Sequence, residues 1–144
     1  MRHRLGYRKL NRGPAERKAL LRGLATQLIE FGRVETTVER AKELRGVVEP
    51  LVTLGREDTV ANRRIAASTL YTKSSVKRLF SEVAPANVGR PGGYTRILRL
   101  GFRPGDHARR ALIEFVESKL YGEAAQTPAG GITSVGSAPA APSV

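Results

Sequence analysis

Residues 33–55, RVETTVERAKELRGVVEPLVTLG, decide the fold, because two hydrophobic periods meet inside them. Arg33 to Thr36 is short and β-rich, and it reads as a strand. Directly after it Val38, Ala41, Leu44, Val48 and Leu51 recur at helical spacing, which predicts a helix with one apolar stripe. Thr36-x-x-Glu39 forms a capping-box pattern at the start of that run. Pro50 lies inside the run and is expected to kink or split the helix, since proline removes an internal hydrogen bond.

Working outward, the upstream segment predicts a first helix. Gly13-Pro14 punctuates the chain and Pro14 suits the first helical position. Leu21, Leu24, Leu28 and Phe31 then recur at helical spacing, and Gly32 fits a C-cap. Downstream, Asp58 is the expected cap of a helix from Thr59 to about Leu70. Ser74 or Ser75 is the expected cap of another, ending near Pro85. Asn87 to Gly93 (NVGRPGG) reads as a glycine-rich loop. Tyr94–Leu100 and Arg110–Glu117 read as strands, with turn chemistry at Pro104-Gly105-Asp106 between them. The order α-β-α-α-α-β-β predicts an α+β fold in two layers, helices packed on a small mixed sheet.

One domain is expected over residues 1–120, with residues 1–12 as an extended basic arm. Residues 121–144 are expected to be a disordered tail. Of the 23 residues from Gly122 to Val144, 18 are Ala, Gly, Pro, Ser or Thr, too little apolar bulk to offset ordering entropy.

The 144 residues carry 25 Lys+Arg against 13 Asp+Glu, a net charge of +12 that points to a polyanionic partner. The charge is blocked. Residues 1–24 hold a net +7 and residues 63–110 a net +9, whereas 25–62 and 111–144 are each at −2. That alternation suggests basic surfaces mounted on a near-neutral scaffold. Arginine outnumbers lysine 19 to 6, and its planar fork suits phosphate and stacked bases, although genomic base composition produces the same bias.

Two segments carry the basic blocks. The arm holds Arg2, His3, Arg4, Arg8, Lys9 and Arg12, which repel one another unless they lie along phosphates. A mitochondrial leader is usually Ser-rich and amphipathic. Here the first serine is Ser68, and Gly6 and Gly13-Pro14 interrupt any such helix. The second segment runs through Arg90, Gly92, Gly93, Tyr94, Thr95, Arg96, Arg99, Phe102 and Arg103. Its glycines permit close approach to a phosphate, and its aromatics would stack on bases or fill the core, with the core reading preferred for Tyr94 and Phe102.

Other chemistries lack residues. Without cysteine there are no disulfides, thiolate nucleophiles or zinc-finger ligands, and His3 and His107 do not build a metal site alone. No apolar run approaches 18 residues, so no membrane partner is expected. Glu39 and Glu43 sit among Arg40, Lys42 and Arg45 as a solvated ion-pair face, so catalysis is not expected. Gly89-Arg90-Pro91-Gly92 fits the KH-domain GXXG literally but precedes a strand, and no Walker A or RRM signature exists. One alternative stays open: residues 58–83 read as a helical pair resembling a helix-turn-helix, with Lys73, Lys77 and Arg78 facing DNA in a dimeric regulator or nucleoid protein.

The chain as a whole resembles the bacterial large-subunit ribosomal protein L-seventeen family. The resemblance rests on MRHR and Asn11, VETTVERAKELRGVVEPLVTLGR (34–56), VANRR (60–64), GGYTRILRLGFRPGDHA (92–108) and ALIEFVE (111–117), collinear over about residues 1–117. It implies an α-β-α(3)-β(2) fold, no enzymatic activity, no cofactor, and a scaffold role in the cytoplasmic bacterial ribosome at one copy each. It implies binding to 23S ribosomal RNA near the nascent-chain exit, with ribosomal proteins L-twenty-two and L-thirty-two as neighbours. Asn11, Arg63 and Arg64 join the expected RNA contacts through these matched blocks. The tail has no counterpart in the resemblance.

Overall fold

The computed structural model describes residues 7–117; Arg2, His3, Arg4 and the segment read as a tail lie outside them. Helix α1 spans Pro14–Phe31, strand β1 Arg33–Thr37, α2 Val38–Leu54, α3 Val60–Thr69 and α4 Lys73–Arg78. A π-helical turn, Leu79–Val83, leads into α5, Ala84–Ala86, and the chain closes with β2, Thr95–Phe102, and β3, Arg109–Phe115. The α+β architecture is as expected, helices on a small sheet.

The sheet is antiparallel throughout, not mixed: its order is β1-β3-β2, with β3 antiparallel to both neighbours. β1 and β2 do run the same way, but β3 returns from the hairpin turn and fills the place between them. Thr36 pairs with Ala111 and Thr37 with Arg110, so the strand continues one residue further than its sequence pattern indicates. Thr37 rather than Thr36 is therefore the N-cap residue of α2, and it makes no side-chain capping hydrogen bond. The capping box is not formed.

Every member of the α2 stripe is buried, from Val38 through Ala41, Leu44 and Val48 to Leu51, and Val52 joins them. Pro50 does not split the helix. Its ring and the Gly46 carbonyl it leaves without a donor both lie on the exposed side, where solvent meets the loss. The end of α2 needs a glycine for another reason: a Cβ on Gly55 would stand 2.7 Å from the Ala84 Cβ.

In α1 the buried stripe is Ala25, Leu28 and Ile29, with Leu21 and Leu24 partly buried and Phe31 66% exposed. The apolar face is thus rotated from the expected Leu21–Phe31 row, because Ile29 rather than Phe31 meets the core. Gly32 caps the helix as expected, at φ 70° with its N–H on the Leu28 carbonyl.

The next caps fall elsewhere than expected. Thr59, not Asp58, accepts from the Asn62 N–H, and Thr72, not Ser74 or Ser75, accepts from the Ser75 N–H. Asp58 is engaged by Arg63, while Ser75 is buried and donates its hydroxyl to the Thr72 carbonyl. Ala84 donates to Leu79, five residues back, just before Pro85, which has no N–H to continue an ordinary ladder. The wide turn buries Leu79, Phe80 and Val83 together. The cross-strand triplet Val34–Ile113–Ile97 faces the helices, and the row Thr36–Ala111–Arg99 lies on the same side of the sheet with Arg99 exposed beyond them.

Candidate nucleic-acid interface

Strand β2 outruns the core. Thr95 is buried and Ile97 half-buried, but every residue from Leu98 to His107 is exposed. Between Arg99 and Gly101 the register slips by one residue, leaving Leu100 as a bulge, with Gly101 at φ 95°, a left-handed conformation glycine adopts without a Cβ penalty. The slip puts Phe102 opposite Arg109, on the face that carries Arg99, where unbroken alternation along β2 would place it with Arg96 and Leu98.

The hairpin tip is built from local bonds. Arg103 N–H donates to the Ala108 carbonyl at 2.8 Å and His107 N–H to the Arg103 carbonyl at 3.1 Å. Arg103 Nε donates to Asp106 Oδ1 at 2.9 Å and the second guanidinium nitrogen to Oδ2. That grip, helped by the Ala108 N–H, holds the Asp106 carboxyl well below the usual carboxylate range and raises Arg103 above its own. Phe102 stacks on His107, centroids 4.8 Å apart, and stays 57% exposed. The preferred core placement of Phe102 is therefore overturned: the tip extends past the helices. Tyr94 is core, at 1% exposure, its hydroxyl 3.3 Å from Thr53 Oγ1.

The described part of the arm is not extended. Leu10 and Asn11 take φ 54° and 51°, and Arg12 N–H closes a left-handed turn on the Lys9 carbonyl. Arg17 lies 4.4 Å over the Tyr7 ring, and Arg8 reaches Glu39 in the first turn of α2 at 3.8 Å. Since Thr37 pairs with Arg110, this contact brings the arm to the same end of the molecule as the hairpin tip.

The glycine-rich loop belongs to the other end. Thr95 pairs with Phe115, whose N–H donates to the Gly32 carbonyl at the start of β1. At about 3.3 Å per residue, the eight residues of β2 put roughly 25 Å of strand between the loop and the hairpin tip, so Gly93 and Arg103 lie at opposite ends of the sheet. Arg90 binds Glu117 at 2.9 Å, and its buried Nε has no hydrogen-bond partner among the described residues. Gly93 takes φ 65°, and space beside Gly92 is open.

The expected contacts thus divide by charge pairing. Lys9, Arg12, Arg64 and Arg99 are exposed and form no ion pair or hydrogen bond through their side chains among the described residues. Arg8, Arg63, Arg90, Arg96 and Arg103 are each held by a carboxylate. Arg63 also lies 5.4 Å over the Phe80 ring, and Arg96 donates to the nearly enclosed Glu114 at 2.5 Å. Tyr94 and Thr95 are buried, and Thr95 donates its hydroxyl to Glu49 at 3.2 Å. Sequence reasoning missed Arg109, exposed beside Phe102 across the hairpin. The visible signal was a strand of basic and apolar residues with no clean polar face.

The helical pair at 58–83 forms, but its second α-helix has six residues, and Arg78 turns inward onto Glu82 and the Glu30 carbonyl. Among the described residues no group of His, Asp and Glu could hold a metal ion, and no helix is long and apolar enough to cross a membrane. Residues 20–116 match the family described as Ribosomal protein L17.

Proposed function

The chain belongs to the ribosomal protein L17 family, structural constituents of the large ribosomal subunit, and on that premise we propose that it binds 23S ribosomal RNA near the nascent-chain exit. The observation that carries the reading is the convergence at one end of cations that have no ion pair among the described residues. Lys9 and Arg12 follow Arg8, whose contact with Glu39 sets the arm at the end of the molecule where Arg99, Arg109 and the Phe102–His107 stack lie. Guanidinium and ammonium groups without carboxylate partners neutralise phosphates and release condensed counterions. An exposed aromatic stack offers a flat surface to a base or sugar.

The mechanism is scaffolding without turnover. The helices and the helix-facing side of the sheet form the rigid body, and the arm and tip grip RNA. Arg103, locked by Asp106, shapes the tip and orders the neighbouring Phe102 and His107; Arg2, His3 and Arg4 would extend the grip from the arm. Gly92 and Gly93 leave the opposite loop open to a second backbone approach. Ribosomal proteins L-twenty-two and L-thirty-two are the proposed neighbours, in the cytoplasmic ribosome of a bacterium.

Sucrose-gradient sedimentation of tagged protein, followed by RNA crosslinking, tests this. Near-stoichiometric migration with the large subunit through a high-salt wash, with crosslinks to 23S RNA at the exit region, is expected. Migration with DNA or in the light fractions would overturn it. With six to ten phosphate contacts, affinity for RNA should fall roughly 10³- to 10⁵-fold between 50 and 200 mM salt.

A further inference from the structure

A second basic surface lies away from the hairpin, between α3 and α4. Val60, Arg64, Tyr71, Lys73, Val76 and Lys77 line an open groove of about 370 Å³ there. Among the described residues no carboxylate lines it. Arg64, Lys73 and Lys77 are exposed and, among the described residues, have no ion pair or side-chain hydrogen bond, while the adjoining Arg63 is held by Asp58. Lys73 and Lys77 stand one helical turn apart, so their charges repeat along one face at about 5–6 Å.

The groove also has an aromatic wall that is fixed in place. The Tyr71 N–H donates to Thr26 Oγ1 at 3.2 Å, its hydroxyl donates to the Ala19 carbonyl at 3.3 Å, and Arg22 lies 4.5 Å over its ring. Despite these ties Tyr71 remains 53% exposed, and Val60 beside it is 66% exposed. A rigid half-open ring beside three free cations combines base stacking with phosphate neutralisation, the two terms that hold unpaired nucleic acid.

From this juxtaposition we infer that the α3–α4 groove binds an unpaired segment of RNA, a loop or bulge, separately from the arm and hairpin tip. The inference rests on the RNA-binding reading above and adds to it a second site and its ligand class. Size selects the single strand. A groove at the lower limit of small-molecule pockets holds a nucleotide or two, whereas a duplex cannot place a stacked base against Tyr71. One chain then ties a flexible RNA segment to whatever the hairpin end holds.

The test uses the full chain with a short single-stranded RNA oligonucleotide and the same sequence as a blunt duplex, read by fluorescence anisotropy across salt concentrations. Lys73→Gln/Lys77→Gln is expected to weaken single-strand binding roughly tenfold and to lower its salt slope by about 1.4, the share of two phosphates. Tyr71→Leu should weaken it about tenfold, with Tyr71→Phe close to the parent protein. Arg99→Gln/Arg109→Gln, outside the groove, should weaken both RNAs, because the phosphates those arginines would meet are common to the two. If the parent protein binds RNA and the lysine pair changes neither affinity nor slope, the groove is not an RNA site. Competition by polyglutamate as strong as by the oligonucleotide would also overturn it, in favour of an acidic protein partner. If the parent binds neither RNA, the underlying reading fails as well. The lysines are exposed and unpaired, so unchanged thermal melting is expected and separates lost binding from lost fold.

Discussion

Arg96 and Arg99 lie three residues apart on the same strand and meet opposite fates. Arg96 stands in a cross-strand row with Glu114 and Arg33, and its guanidinium closes on a carboxylate that is almost wholly enclosed. Arg99 stands opposite Ala111 where β2 becomes exposed, and among the described residues it pairs with no carboxylate. The same residue type is thus part of the scaffold at one end of β2 and open to phosphate at the other. Net charge alone does not locate a polyanion site; the local supply of carboxylates does.

The largest expected contrast between the two ends is in stability. Ile113→Ala, in the fully buried part of β3, should cost about 2–5 kcal/mol by urea denaturation, while Phe102→Ala at the tip should cost under about 0.5 kcal/mol. Equal losses would mean that the tip packs as core. Next, Glu114→Ala should cost roughly 1–2 kcal/mol, because it removes the acceptor of Arg96 from a nearly enclosed position.

Binding should show the reverse order. Arg99→Gln/Arg109→Gln should leave the urea midpoint unchanged and lower the salt slope for duplex RNA by about 1.8, whereas Arg96→Gln should shift the midpoint and leave that slope within about 0.3. A slope change on Arg96→Gln as large as on the tip pair would erase the distinction drawn between paired and free arginines.

The smallest effect is expected in acid. Asp58 and Asp106 both titrate below their usual range, chiefly through the arginine hydrogen bonds from Arg63 and Arg103. A carboxyl with a lower value folded than unfolded contributes fully above about pH 4 and loses that contribution as pH falls through its folded value. Asp58→Asn/Asp106→Asn should therefore flatten the decline in thermal midpoint below pH 4 while leaving its shape near neutrality intact. An unchanged acid limb would show that these exposed pairs contribute nothing measurable.

The element order, the α2 stripe from Val38 to Leu51 and the Gly32 cap were legible in the chain, because helical period and glycine caps are local properties. The basic arm and the 90–103 segment were legible as charge and not as surface. Pairing of Arg63 with Asp58 and Arg103 with Asp106 joins near neighbours and had a visible spacing. Pairing of Arg90 with Glu117 and Arg110 with Glu35 joins distant residues and had none.

The sequence by itself determined an α+β fold with a near-neutral core helix between basic blocks, since burial periodicity and charge patterning need only a few consecutive residues. Tertiary structure alone decided the rest. It set β3 between β1 and β2, turned Ile29 inward and Phe31 outward, and slipped the register at Leu100 so that Phe102 faces with Arg99. It also joined Arg90 to Glu117 and Arg110 to Glu35. Those outcomes depend on contacts between residues far apart in the chain, and a strand's exposed length depends on where the helices packed against it stop.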